Sequence, residues 1–126
     1  MRNERKPFNV IKEVKESVSM TAMTIHFSKD RQDRVDVVVD ELGEGDFVTS
    51  FIVDKGHKNG AERHIIYDNG VILVVNENTR KMVTILIARV GQITRYWLNL
   101  GRPFPTNLRH LLTIARENEL SGLNNL

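Results

Sequence analysis

The sequence predicts an α+β domain: helices packed on an antiparallel four- to five-stranded β-meander, with a C-terminal helix. Three observations carry this. Strand-forming runs at Phe47–Val53, Glu62–Tyr67, Val71–Val75 and Met82–Arg89 follow one another with short turn-forming segments between them, and consecutive strands joined this way pair antiparallel. Two other stretches, Ser28–Leu42 and Thr106–Leu120, space their apolar residues for one face of a helix. A length of 126 residues, 40% hydrophobic and 27% charged, suits a single domain with one adequate core.

Residues 1–7 read as a charged, flexible tail ending at Pro7. Val10, Ile11, Val14 and Val18 fall at helical spacing among Lys and Glu, which predicts a helix over Asn9–Ser17. Met20–Phe27 is rich in Met, Thr and Ile and reads as a strand or an extended entry. Ser28 has the chemistry of an N-cap, and Val35, Val38, Val39 and Leu42 form one apolar face behind it. Three adjacent valines favour a strand, but the cap and the spacing favour a helix, which Gly43 and Gly45 stop.

Asp54–Gly60 reads as a loop, and Asp68-Asn69-Gly70 as a tight turn, because Asn and Gly tolerate positive φ. Val71–Val75 and the strand after it are apolar on both faces, so each face of the sheet needs a cover. Gly91-Gln92 reads as a turn and Ile93–Leu98 as the last, mixed strand of the meander. Two prolines within Gly101–Pro105 break the chain before the final helix, whose buried stripe is Leu108, Leu111, Leu112 and Ala115. Residues 121–126 read as a flexible polar tail.

The net charge is only +2, but it is unevenly placed. No Asp or Glu occurs between Asn78 and Arg116, a stretch that holds Arg80, Lys81, Arg89, Arg95, Arg102, Arg109 and Arg116. Seven of the 18 basic residues thus stand apart from all 16 acids, and the other 11 face those 16 in the rest of the chain. Such a stretch either solvates one region or forms a basic face for an anionic partner. Six of the seven are Arg, whose planar fork suits phosphate. The acidic remainder would limit indiscriminate binding to polyanions.

The absence of cysteine excludes disulfides, thiolate metal sites and a Cys nucleophile, and fits a reducing, cytoplasmic setting. No apolar run approaches the ~20 residues needed to span a bilayer, and Met1–Lys6 has no apolar segment behind it, so neither a membrane span nor a secretory signal is expected. There is no phosphate loop, nucleophile elbow or zinc spacing, and His26, His57, His64 and His110 are widely spread, so no metal and no cofactor are expected.

What remains is a kit that metal-independent ribonucleases use: histidines for proton transfer and Arg or Lys for the phosphorane charge. His26 precedes Arg31 and Arg34 on the predicted helix, and His64 stands beside Arg63 on a strand. Thr84 is a mid-strand hydroxyl that either positions a phosphate or serves as a β-branched strand residue. Arg95-Tyr96-Trp97 either offers a base-stacking aromatic or, more simply, sends Trp97 into the core and Tyr96 outward. His57 and His110 read as solvated.

The run His26-Phe27 with Arg31 and Arg34, followed by Asn69-Gly70-Val71-Ile72-Leu73-Val74-Val75-Asn76-Glu77-Asn78-Thr79 and Met82-Val83-Thr84-Ile85-Leu86, resembles the barnase–EndoU–colicin–RelE group of metal-independent ribonucleases and toxins, many from phages and bacteria. The resemblance covers about Thr24–Leu98. It implies helices before an antiparallel four-stranded sheet, and a site drawing on a helical His or Arg with basic or hydroxyl residues of late strands. On this sequence those are His26, Arg34, His64 and Thr84. Arg80, Lys81, Arg89, Arg95, Arg102 and Arg109 would contact the nucleic acid.

The group also contains inactive binding forms. The expectation is therefore an RNA-binding domain with metal-independent endoribonuclease activity. The alternative is a non-enzymatic accessory or anti-defence protein that binds a nucleic acid or a host nuclease complex through its basic C-terminal half. A third reading is a structural protein that pairs through an edge strand such as Phe47–Val53.

Overall fold

A computed structural model describes residues 9–22, 24–56, 58 and 60–126. The expected N-terminal tail over 1–7 and His57 lie outside them. The elements in chain order are β1 (Asn9–Val14), α1 (Lys29–Leu42), β2 (Phe47–Asp54), β3 (Glu62–Tyr67), β4 (Val71–Asn76), β5 (Met82–Ile87), α2 (Val90–Asn99) and α3 (Arg109–Leu120), with 3-10 turns at Thr106–Leu108 and Leu123–Asn125. The five strands form one antiparallel sheet in sequence order, β1-β2-β3-β4-β5.

The strand pattern explains the layering. Along β4, Val71, Leu73 and Val75 point to one face, while Ile72 and Val74 point to the other. On the first face they meet Ile65, Tyr67, Ile85 and Ile87, and α1 closes this core with Val35 and Val38. On the second face they meet Phe51, Val53 and Ile66, and α2 and α3 close it with Ile93, Tyr96, Trp97, Leu111 and Ala115. The central strands need both covers because each buried aliphatic side chain stabilises the fold by roughly 1.5–3 kcal/mol.

Two expected elements differ. Asn9–Val14 is a strand, not a helix: it pairs with the open edge of β2, matching Glu13 with Phe51 and Val14 with Ser50 across a bulge between Val10 and Lys12. Its β-branched residues suit a pleated edge, and the ladder outweighs the weak helical spacing. Ile93–Leu98 is helical, not a strand, and the expected turn at Gly91-Gln92 is instead the first turn of the same helix, α2. Ile93, Tyr96 and Trp97 stand at i, i+3 and i+4 and are all buried. Gln92 Oε1 accepts from the Arg89 N–H at 2.7 Å, and Glu119 of α3 accepts from the Val90 N–H at 3.0 Å. The first turn of α2 is thus capped from within and from its neighbour.

The chain end also differs from a loose tail, since Leu123 packs against the α1-side core. The other elements lie where the sequence predicts them. Ser28 accepts from Arg31 N–H to cap α1, and Gly43 ends that helix with φ +77°.

In the β3–β4 turn only Gly70 takes a positive φ, +85°. A Cβ there would come 2.8 Å from Asn118 Nδ2, which is held by donating to the Asn69 carbonyl at 3.1 Å. Gly70→Ala is therefore expected to cost about 1–2 kcal/mol from the left-handed backbone alone, read as a lower urea midpoint with unchanged slope.

Candidate nucleic-acid interface

The sheet register builds the site. Phe51, His64, Val74 and Thr84 are successive partners across β2, β3, β4 and β5, so they form one row facing α2. With strands about 4.8 Å apart, His64 and Thr84 flank Val74 rather than touch. A cavity of about 190 Å³ lies over this row. Ile72, Val74 and Leu86 make its apolar floor, Thr84 and His64 its sheet side, and Gln92, Arg95 and Tyr96 its α2 wall. Lys55 reaches it from the β2–β3 loop.

His64 is buried and spoken for at both ring nitrogens. Nδ1 lies 2.7 Å from Tyr96 Oη, and Nε2 lies 3.0 Å from Glu62 Oε1. Burial pushes the His64 pKa below its ordinary value of 6.5, against the opposing pull of Glu62. The imidazole is then neutral, and one tautomer satisfies the whole chain: Tyr96 O–H donates to Nδ1, and Nε2–H donates to the carboxylate. The contact with Glu62 is thus a hydrogen bond from a neutral ring, not an ion pair. The His64 hydrogen bond holds the Glu62 pKa below its ordinary value despite burial, helped by Lys55, whose Nζ is 3.4 Å from the same oxygen. Burial raises the Tyr96 pKa, so its hydroxyl keeps its proton to donate.

The chain has a pH signature. The unfolded state binds a proton on His64 below about 6.5 that the folded state refuses, so stability falls as pH drops through that value. Glu62 adds a second loss further down, as pH passes below its unfolded value of 4.5 toward its lower folded one. Urea midpoints measured from pH 7 to 5 should decline in the parent protein. They should decline less in His64→Gln, which has no imidazole to titrate.

A second cavity, about 330 Å³, lies on the α1 side and is lined by His26, Phe27, Ser28, Arg31, Lys81 and Met82. The backbone of His26 docks on the start of β5: its N–H donates to the Arg80 carbonyl at 2.9 Å, and its carbonyl accepts from Met82 N–H at 3.0 Å. The Arg31 guanidinium donates to the carbonyl of Val83, a residue that also lines the first cavity. Both cavities therefore border edge strand β5, through Lys81 and Met82 on the α1 side and Val83, Thr84 and Leu86 on the α2 side. Neither lining contains Asp or Glu, whereas Glu13 lines a third cavity and Glu44 and Asp46 a fourth.

The four catalytic candidates do not converge. His64 and Thr84 share the α2-side cavity. His26 lines the α1-side cavity, and Arg34 is half-buried on α1 across the sheet. Of the six expected nucleic-acid contacts, Lys81 and Arg95 line the two β5 cavities. Arg80 is half-buried in the β4–β5 turn with φ +64°. Arg89 is exposed at the start of α2, and Arg109 is exposed at the start of α3. Arg102 lies in the third cavity, 3.3 Å from Glu13.

Sequence reasoning missed Glu62 and Lys55, and it singled out Tyr96 without its place beside His64. The pair Glu62 and His64 carried a usable signal, since two positions apart on a strand share a face. The place of Tyr96 was hidden by reading α2 as a strand. Trp97 is in the core as expected, and Tyr96 is buried beside it rather than pointing outward. Among the described residues no helix is long and apolar enough to cross a membrane. Comparison of the chain with protein-family models, curated proteins and solved structures finds no match.

Proposed function

We propose that this domain binds a phosphodiester polyanion along the β5 edge, RNA being the form that the sequence resemblance implies. One observation carries the reading. The two cavities that border β5 present Arg31, Lys81 and Arg95 with no acid in either lining, while the other two cavities described contain carboxylates; Lys55 is already paired with Glu62 at 3.4 Å. Arg and Lys around an edge can follow successive phosphates, and Arg supplies paired donors to each.

Binding is favoured over cleavage. Both nitrogens of His64 are engaged within the fold, so it cannot take a proton from a bound ribose without breaking its own contacts. His26 shares its cavity with cations but with no second imidazole or carboxylate. The accessory-protein reading needs only this binding surface.

The test is a titration of an RNA oligomer at several salt concentrations, with EDTA present and the RNA checked for cleavage. Affinity should fall steeply with salt, and Lys81→Glu should weaken binding and flatten that dependence. Binding indifferent to salt would refute the reading, and cutting that depends on His26 or His64 would restore the ribonuclease alternative.

A further inference from the structure

We infer that the cavity between β4, β5 and α2 receives one unpaired nucleobase, with its neighbouring phosphate held at the rim. The inference rests on the polyanion reading and specifies what that site selects. Size is the first argument. At about 190 Å³ the cavity is smaller than the ~300–1,000 Å³ of sites for drug-sized ligands, yet several times the ~30 Å³ share of one water. It suits a single planar ring system, not a peptide or a base pair.

The order of chemistry is the second argument. Ile72, Val74 and Leu86 offer an apolar floor for the ring. Within the described residues the Thr84 hydroxyl makes no hydrogen bond, and Gln92 uses its Oε1 on the Arg89 N–H while its Nε2 is uncommitted. A hydroxyl and an amide N–H therefore remain for the edge of a base.

The cations are placed outside this interior. Arg95 is exposed at the rim and Lys55, exposed beside it, is paired with Glu62 at 3.4 Å, whereas His64 and Tyr96 are buried and hydrogen-bonded to each other. A small anion drawn fully inside would lie against the apolar floor and lose its hydration. A nucleotide has the matching order, with its neutral ring inward and its charge outward. A base held in a duplex cannot enter without unstacking, so the cavity discriminates by strand state.

The experiment compares a single-stranded RNA oligomer, a duplex with the same number of phosphates, a nucleoside monophosphate and ribose 5-phosphate. The single strand should bind about tenfold or more tighter than the duplex, on the scale of sequestering one base. Thr84→Val, a substitution that suits a strand, should weaken single-strand binding about fivefold and leave duplex binding unchanged. Leu86→Trp, checked for folding by its melting curve, should fill the cavity and abolish the single-strand preference.

Binding of the monophosphate but not ribose 5-phosphate would support the inference with a free nucleotide as one source of the base. Single-strand preference without monophosphate binding would support it with the strand as the source. Equal binding of single strand and duplex, unaltered by either variant, would overturn the nucleobase inference while the polyanion reading stood. Failure of every RNA to bind would overturn both.

Discussion

Trp97→Ala is expected to lower the free energy of unfolding by about 3–5 kcal/mol. The indole is almost fully buried between the sheet and the segment after α2. It meets the ring of Phe51 edge-on at 4.9 Å and that of Phe104 at 4.7 Å. Such pairs add about 0.5–1.5 kcal/mol beyond area burial. Truncation leaves a hole that backbone on both sides cannot close. Against a total stability of about 5–15 kcal/mol for a typical domain, the variant should melt far earlier. Trp97→Phe should recover part of the loss. The neighbouring Leu98 is largely exposed, and Leu98→Ala should shift stability by no more than about 0.5 kcal/mol. A small effect at Trp97 would mean that α2 does not close this face.

Replacing Arg31, Lys81 and Arg95 together by Ala should weaken RNA binding about a hundredfold at low salt, if each phosphate contact contributes about 1 kcal/mol. The slope of log affinity against log salt should fall by about two, since each single-strand contact accounts for about 0.7. Arg31 also donates to the Val83 carbonyl at the β5 edge, so folding must be checked by a separate melt. The matched triple replacement of Arg102, Arg109 and Arg116 is the control. It removes the same charge at residues that line neither β5 cavity, with Arg102 already paired to Glu13. If both triples weaken binding equally, net charge rather than the β5 edge is responsible.

Trp97 tests the packing that sets α2 against the sheet, and the cations test what that packing exposes. The pH dependence of His64 joins them, because Tyr96 lies one residue from Trp97 and holds the imidazole at 2.7 Å.

By itself the sequence determined the strands β2 to β5, the helix α1 with its Ser28 cap, the final helix and the need for cover on both faces of the sheet. These follow from local chemistry: turn residues, capping side chains and apolar runs act over a few residues. It also determined that basic residues gather after Asn78. The tertiary structure decided what short-range patterns leave ambiguous. Asn9–Val14 became a strand because β2 offered an open edge to pair with. Ile93–Leu98 became part of a helix because the sheet needed a cover and Gln92 and Glu119 capped its start. Tertiary structure also decided which side chains meet. Register put His64 and Thr84 in one row, and the sheet set His26 and Arg34 on the other side. A strand's side chains alternate between faces, so residues grouped by chemistry along the chain are grouped in space only when register and crossover agree.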